Sequence, residues 1–185
     1  ASFGLTRLNF RWASQTFFFI LLGMMVPIQA TLVPNKILMM GIGLNNTLPG
    51  LLLLYIAFGI SFDVLILRGF IRTIPRELDD SAVMDGCSSL GLFWRIIMPL
   101  SKPAIATLVI LDTLGTWNEL LLAVIFVQKN TFRTITVGLV HFKLEYTTDY
   151  TLLNAGVLMT IIPVFAIFLL FQKFFVKGLA GAVKG

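Results

Sequence analysis

Residues 48–67 read LPGLLLLYIAFGISFDVLIL, twenty positions with a single charged side chain, Asp63. At about 1.5 Å per residue, a helix of this length crosses about 30 Å of hydrocarbon. A helix also satisfies its backbone polar groups internally, as a bilayer demands. A core helix of a water-soluble domain keeps a polar face, and this stretch has none. Three further stretches share its character: about 17–34, 103–127 and 152–171. The sequence therefore predicts an all-α polytopic membrane protein with four transmembrane helices. The composition agrees, with 57% hydrophobic and 12% charged residues against roughly 45–50% and about 25% in soluble domains. Pro27 and Pro163 should kink the first and fourth spans. Gly23, Gly59, Gly115 and Gly156 supply one small residue per span for close helix packing.

The formal charge of +5 does not mark a nucleic-acid binder, because the basic residues flank the spans instead of forming a patch. Arg7, Arg11, Arg68, Arg72, Arg76, Arg95, Lys102, Lys173, Lys177 and Lys184 fall on one side of the predicted membrane. Lys36, Lys129, Arg133 and Lys143 fall on the other. The positive-inside rule makes the richer side cytoplasmic, with both ends of this chain there. Trp12 and Trp94 suit interfacial anchoring. Cys87 is the only cysteine, so no intrachain disulfide exists. The chain opens at Ala1 without a methionine or leader pattern, which reads as a piece of a longer protein.

Between the spans, residues 35–47 read as a short external link with turn signals at Gly41, Gly43 and Asn45-Asn46. Residues 128–151 form a long external segment carrying Phe132, Phe142, Tyr146 and Tyr150. The internal segment of residues 69–102 is also long. Connections of this length are seldom idle in a compact protein. Within the internal one, Pro75 suits the first turn of a helix, and Glu77, Asp79 and Asp80 set negative charge at its N-terminal end. Arg76 and Asp80 are spaced to pair, and Leu78, Ser81, Ala82 and Asp85 share a face. Gly86 can end that helix in a left-handed conformation. Ser88 or Ser89 can cap a second helix that runs to about Ile97 before Pro99 stops it. Residues 72–99 thus predict a helix, a turn and a helix.

This run resembles the cytoplasmic coupling loop of ABC importer permeases, whose pattern is Glu-Ala-Ala, three residues, Gly, nine residues, Ile, one residue, Leu-Pro. Asp80-Ser81-Ala82, Gly86, Ile96 and Met98-Pro99 stand at the matching positions, with Asp, Ser and Met as departures that keep charge sign, small size or apolarity. Leu67-Arg68-Gly69-Phe70, Ile74-Pro75-Arg76-Glu77-Leu78, Trp117-Asn118-Glu119, the 134–139 run TITVGL and the tail ending Gly181-Ala182-Val183-Lys184-Gly185 resemble the carbohydrate-uptake branch. The second, maltose-transporter G-like permease is nearest among them. The resemblance implies about six helices per subunit, of which this chain holds the last four. It also implies a second permease subunit, an ABC ATPase dimer that binds the ATP and Mg, and an extracytoplasmic sugar-binding protein, all in a bacterial or archaeal cytoplasmic membrane. Pro75, Glu77, Asp80, Ser81, Ala82, Asp85, Gly86, Ile96 and Pro99 would couple to the ATPase. Gly181, Ala182, Val183 and Lys184 would contact it as an extended tail, with Lys173 and Lys177 anchored at lipid headgroups.

Ionisable residues at membrane depth are functional candidates, because an acid there is costly. Asp63 and Asp112 qualify, as do Trp117, Asn118 and Glu119 for a substrate pathway, since amide, carboxylate and aromatic groups suit sugar hydroxyls and ring faces. Asp112 and Glu119, seven apart on one helix, share a face with Gly115 beside them. The same acids could instead pair with a partner subunit or sit at the outer interface. They could also carry ions in a gradient-driven secondary transporter, although such a carrier gives no reason for the internal loop. No catalytic or metal set is present: His141 is the lone histidine, and the phosphate-binding loop, Gly-x-Ser-x-Gly and His-Glu-x-x-His patterns are all missing.

Overall fold

The computed structural model describes residues 1–8, 10–129, 132–144 and 150–183. Among them there are helices and no strands. In chain order the helices are α1 (Ser2–Arg7), α2 (Ala13–Met25), a 3-10 turn (Ile28–Thr31), α3 (Leu32–Gly41), α4 (Leu48–Thr73), α5 (Glu77–Met84) and α6 (Ser89–Leu92). A π turn (Phe93–Ile97), α7 (Met98–Leu100), α8 (Lys102–Asn118), α9 (Leu121–Phe126), α10 (Ile135–Leu144) and α11 (Tyr150–Val183) follow. Helices α4 and α11 are each long and apolar enough to cross a bilayer. Two more crossings are available if α2 with residues 28–41, and residues 89–100 with α8, each act as one bent span.

The chain divides into two compact units, Ala1–Met25 with Ile60–Val109 and Gln172–Gly185, and Val26–Gly59 with Ile110–Phe171. In the first, Ile71, Ile74, Ala82, Leu92 and Ile97 form a buried cluster under the loop helices. Gly23 lets α2 approach α4, because a Cβ there would lie 2.9 Å from the Ser61 hydroxyl, which donates to the Ile20 carbonyl at 2.8 Å. In the second, Met39, Leu51, Leu54, Leu122, Ala123, Phe126, Val127 and Val137 make the core. Gly156 of α11 faces Leu139 of α10 so closely that a Cβ would sit 2.6 Å from its Cδ2. Gly115, by contrast, has open space around it, so it is not a packing glycine.

Several expectations change in the folded chain. The apolar run 17–34 is broken at Val26-Pro27, where proline removes a donor. Residues 35–41 belong to α3, because Pro34 falls in its first turn, where the missing N–H costs nothing. The link therefore shrinks to residues 42–47, with Gly43 and Asn46 at φ 72° and 62°. The run 103–127 is not one helix, since α8 stops at Asn118 and α9 starts at Leu121. Pro99 does not stop the loop helix, because the π turn just before it relaxes the i→i−4 ladder and the chain stays helical to Leu100. Pro163 lies inside α11, within the fourth span as expected. The tail is helical to Val183 instead of extended. Its glycines cost only about 1 kcal/mol each against alanine, and extending a helix already formed is favourable where nucleating one is not. Lys184 and the Tyr146 region lie outside the described residues.

Candidate functional site

The first candidate site is the helix–turn–helix of residues 77–100. Helix α5 starts with Arg76 as its N-cap, so Pro75 stands just ahead of the first turn instead of within it. Glu77, Asp79 and Asp80 occupy that turn, opposite the unpaired N–H groups. The helix ends in a two-bond glycine cap. Gly86, at φ 77°, donates to the Val83 carbonyl at 2.9 Å, and Cys87 donates to the Ala82 carbonyl at 2.9 Å. Ser88 then caps α6, its hydroxyl accepting from the Gly91 N–H at 3.2 Å. At Gly91 a Cβ would meet Cys87 Sγ at 2.6 Å, so the thiol would have to move aside for any side chain.

The face expected from spacing divides here. Ala82 is buried against Ile71, Ile74, Leu92 and Ile97, and Ile96 packs on the same cluster. Ser81 and Asp85 are exposed, with the Ser81 hydroxyl donating to the Glu77 carbonyl at 2.7 Å. Glu77, Asp80 and Pro99 are also exposed. So are six large apolar side chains that lie in none of the runs long enough to cross unbroken: Leu78 and Leu100, and, most exposed, Val83 at 62%, Met84 at 87%, Leu90 at 72% and Trp94 at 61%.

The ion pair that fixes α5 is not Arg76 with Asp80. It is Arg7 with Asp79, at 3.1 Å, with side chains 3% and 15% exposed. The same guanidinium donates to the carbonyls of Ile71 at 3.0 Å and Ile74 at 2.6 Å. One arginine of α1 thus ties the end of α4 to the start of α5. In the sequence Arg7 reads only as a topology charge, because nothing local links it to residues 71–79.

The second candidate site lies in the unit of residues 26–59 and 110–171. Asp112, Thr113, Thr116 and Trp117 share one face of α8 and, with Thr134 and Ile135, line a cavity of about 520 Å³. An adjoining cavity of about 450 Å³, also walled by Trp117 and Ile135, is apolar and runs along α10 and α11 to Pro163. The threonines were open to a sequence reading, since 112, 113, 116 and 117 recur at helical spacing. Asn118 points back into its own helix, donating to the Leu114 carbonyl at 2.8 Å. Glu119 lies past the end of α8, so it does not share a face with Asp112. Its carboxylate accepts from the backbone N–H of Leu122 at 2.7 Å and of Ala123 at 3.1 Å, and from the Tyr55 hydroxyl at 3.0 Å. It caps the N-terminus of α9 from the position just before the N-cap residue, Leu120. Thr136 donates to the Glu119 carbonyl at 2.9 Å, which brings the 117–119 and 134–139 runs together. Asp63, half-buried on α4, belongs to the other unit and lines neither cavity.

A chain with helices long enough to cross a bilayer and a structured helical loop beyond one of them is an all-α polytopic membrane protein. More closely, it belongs to the family of binding-protein-dependent transport system inner membrane components, whose profile matches residues 1–180. The chain is 40% identical over 188 residues to the probable ABC transporter permease protein YurM of Bacillus subtilis, covering 100% of this chain and 62% of that protein. It is 36% identical over 184 residues to the arabinooligosaccharides transport system permease protein AraQ of the same organism, at 99% and 65% coverage. The chain therefore spans just under two thirds of these relatives. A crystal structure of a bacterial ABC transporter involved in the import of the acidic polysaccharide alginate contains a chain of the same fold. Its TM-score is 0.79 at 24% identity, over 94% of this chain and 66% of that one.

Proposed function

We propose that the chain is a transmembrane permease subunit of an ATP-driven importer, which forms a carbohydrate pathway with a second permease in the cytoplasmic membrane. Residues 77–100 carry this reading. A helix–turn–helix that leaves Val83, Met84, Leu90 and Trp94 exposed is built to be covered, and a groove on a separate ATPase dimer, the chain that binds ATP and Mg, is the occupant the family resemblance implies. An extracytoplasmic binding protein would deliver the sugar. The loop, both chain ends and the tail would face the cytoplasm, a reading supported by the ten basic residues on that side.

Gly86→Val tests the docking element, since a β-branched residue at positive φ costs about 1–2 kcal/mol and swings α6 off its axis. In the assembled transporter, ATPase recovery and uptake should fall at least several-fold while membrane insertion persists. Unchanged uptake in that variant rejects the assignment. Depleting ATP should stop uptake and collapsing the ion gradient should not, and the reverse result would identify a secondary transporter.

The cavity lined by Asp112 and Trp117 is the proposed sugar contact, with a carboxylate, threonine hydroxyls and an aromatic ring on one wall. Trp117→Leu should raise the sugar concentration for half-maximal uptake by roughly 2- to 10-fold, the worth of one aromatic stack, and leave ATPase recovery unchanged. An unaltered half-maximal concentration would make Trp117 a packing residue.

A further inference from the structure

Four arginines converge where α1 meets the end of α4. Arg68 and Arg72 are one turn apart on α4, Arg76 caps α5, and Arg7 comes from the last turn of α1. Together with Leu5 and Thr6 they line a cavity of about 250 Å³. Only one of the four has a carboxylate, because Arg7 with Asp79 is the sole salt bridge among the described residues. Arg68 is 8% exposed, and its guanidinium stacks on the Phe17 ring at 3.7 Å. The Nε atoms of Arg68 and Arg7 are buried without a hydrogen-bond partner. An arginine cannot escape by losing its proton, and three like charges around one cavity repel each other. An anion in the cavity would offset that repulsion.

We infer that this cavity is a phosphate-binding site for the headgroup of an anionic phospholipid. The guanidinium fork matches phosphate oxygens two at a time, and several forks on one group are the strongest form of that contact. The volume falls below the range of about 300–1,000 Å³ typical of pockets for whole small molecules, so it suits a headgroup and not a nucleotide. The surroundings are those of a membrane boundary. The apolar run of α4 ends at Leu67, immediately before the first of these arginines. On the same unit, Leu8, Phe10 and Trp12 are 45%, 50% and 54% exposed, and Arg11 stands 5.6 Å from the Trp12 ring. Exposed apolar and indole groups beside a basic pocket can take the acyl chains while the pocket takes the headgroup. Inorganic phosphate shares the chemistry without the chains, and an acidic side chain of a partner subunit would serve charge alone.

The test uses the assembled transporter in nanodiscs of phosphatidylcholine with or without phosphatidylglycerol, delipidated in mild detergent and read by native mass spectrometry. The wild type should retain phosphatidylglycerol in preference to phosphatidylcholine. Arg72→Gln should weaken that retention about fivefold, and Arg68→Gln with Arg72→Gln about fivefold again, the worth of one basic residue each at a charged surface. Arg72 is exposed, so its variant assembles even if the buried Arg68 position does not tolerate change. Millimolar inorganic phosphate raising the thermal midpoint of the wild type but not of Arg72→Gln, without selective lipid retention, would assign the site to free phosphate and overturn the lipid. Equal retention of both lipids with no effect of phosphate, or equal retention by wild type and Arg72→Gln, would overturn the site itself and leave the charge to a partner's acid.

Discussion

Replacing Arg7 with alanine is expected to destabilise the assembled transporter by about 3–5 kcal/mol, the usual cost of removing one member of a buried ion pair. The guanidinium serves three acceptors at once: the Asp79 carboxylate and the carbonyls of Ile71 and Ile74. Its loss strands a carboxylate that is 15% exposed and frees α5 from the end of α4. Arg7→Lys should recover little, because an ammonium lacks the planar fork that reaches a carboxylate and two carbonyls together. Asp79→Asn should cost less, since the carbonyl contacts of Arg7 survive. The check is the thermal midpoint of each variant in detergent, with the double variant closing the cycle. Additive effects of the Arg7 and Asp79 substitutions would show that the two do not interact.

Glu119→Ala is the second large loss, at about 2–4 kcal/mol, because two backbone N–H groups and the Tyr55 hydroxyl lose a charged acceptor together. The size of that effect also separates two roles. A capping carboxylate predicts that Glu119→Ala lowers the thermal midpoint strongly and Glu119→Gln by an intermediate amount, with uptake falling in step with folded protein. A pathway carboxylate predicts lost uptake at full stability. The three internal donors favour the first outcome, and a Glu119→Gln protein of wild-type stability with abolished uptake would reverse the assignment.

Much of the architecture is legible in the sequence, and the reasons are physical. Helices α4 and α11 announce themselves by length and apolarity alone. The turn at Gly86 and the cap at Ser88 follow from local chemistry, in which one residue must reach the left-handed region and another must offer an oxygen to a free N–H. What escapes is decided by distant partners. Nothing near Glu119 says that α8 ends one residue before it, because the break depends on a Tyr55 hydroxyl and a Thr136 hydroxyl from other elements. Seven-residue spacing from Asp112 holds only while the helix does. Pro99 misleads for a related reason: proline forbids one hydrogen bond, and a π turn upstream is a second way to do without it. Asp112 and Trp117 each stand out in the sequence as an acid and an aromatic at membrane depth, and the helical spacing of Thr113 and Thr116 between them becomes telling only with the cavity they line.

The bonds of Arg7 also impose an order on biosynthesis. Its carbonyl partners at Ile71 and Ile74 lie 64 and 67 residues further along the chain. At the ordinary pace of translation, that interval is roughly 3 to 13 s, during which α2 and α4 must be delivered to the bilayer while the guanidinium has none of its final acceptors. The segment that locks α5 in place is thus made first and satisfied late. A ribosome pause or an insertion fault between the two would leave a charged residue beside apolar helices without its acceptors.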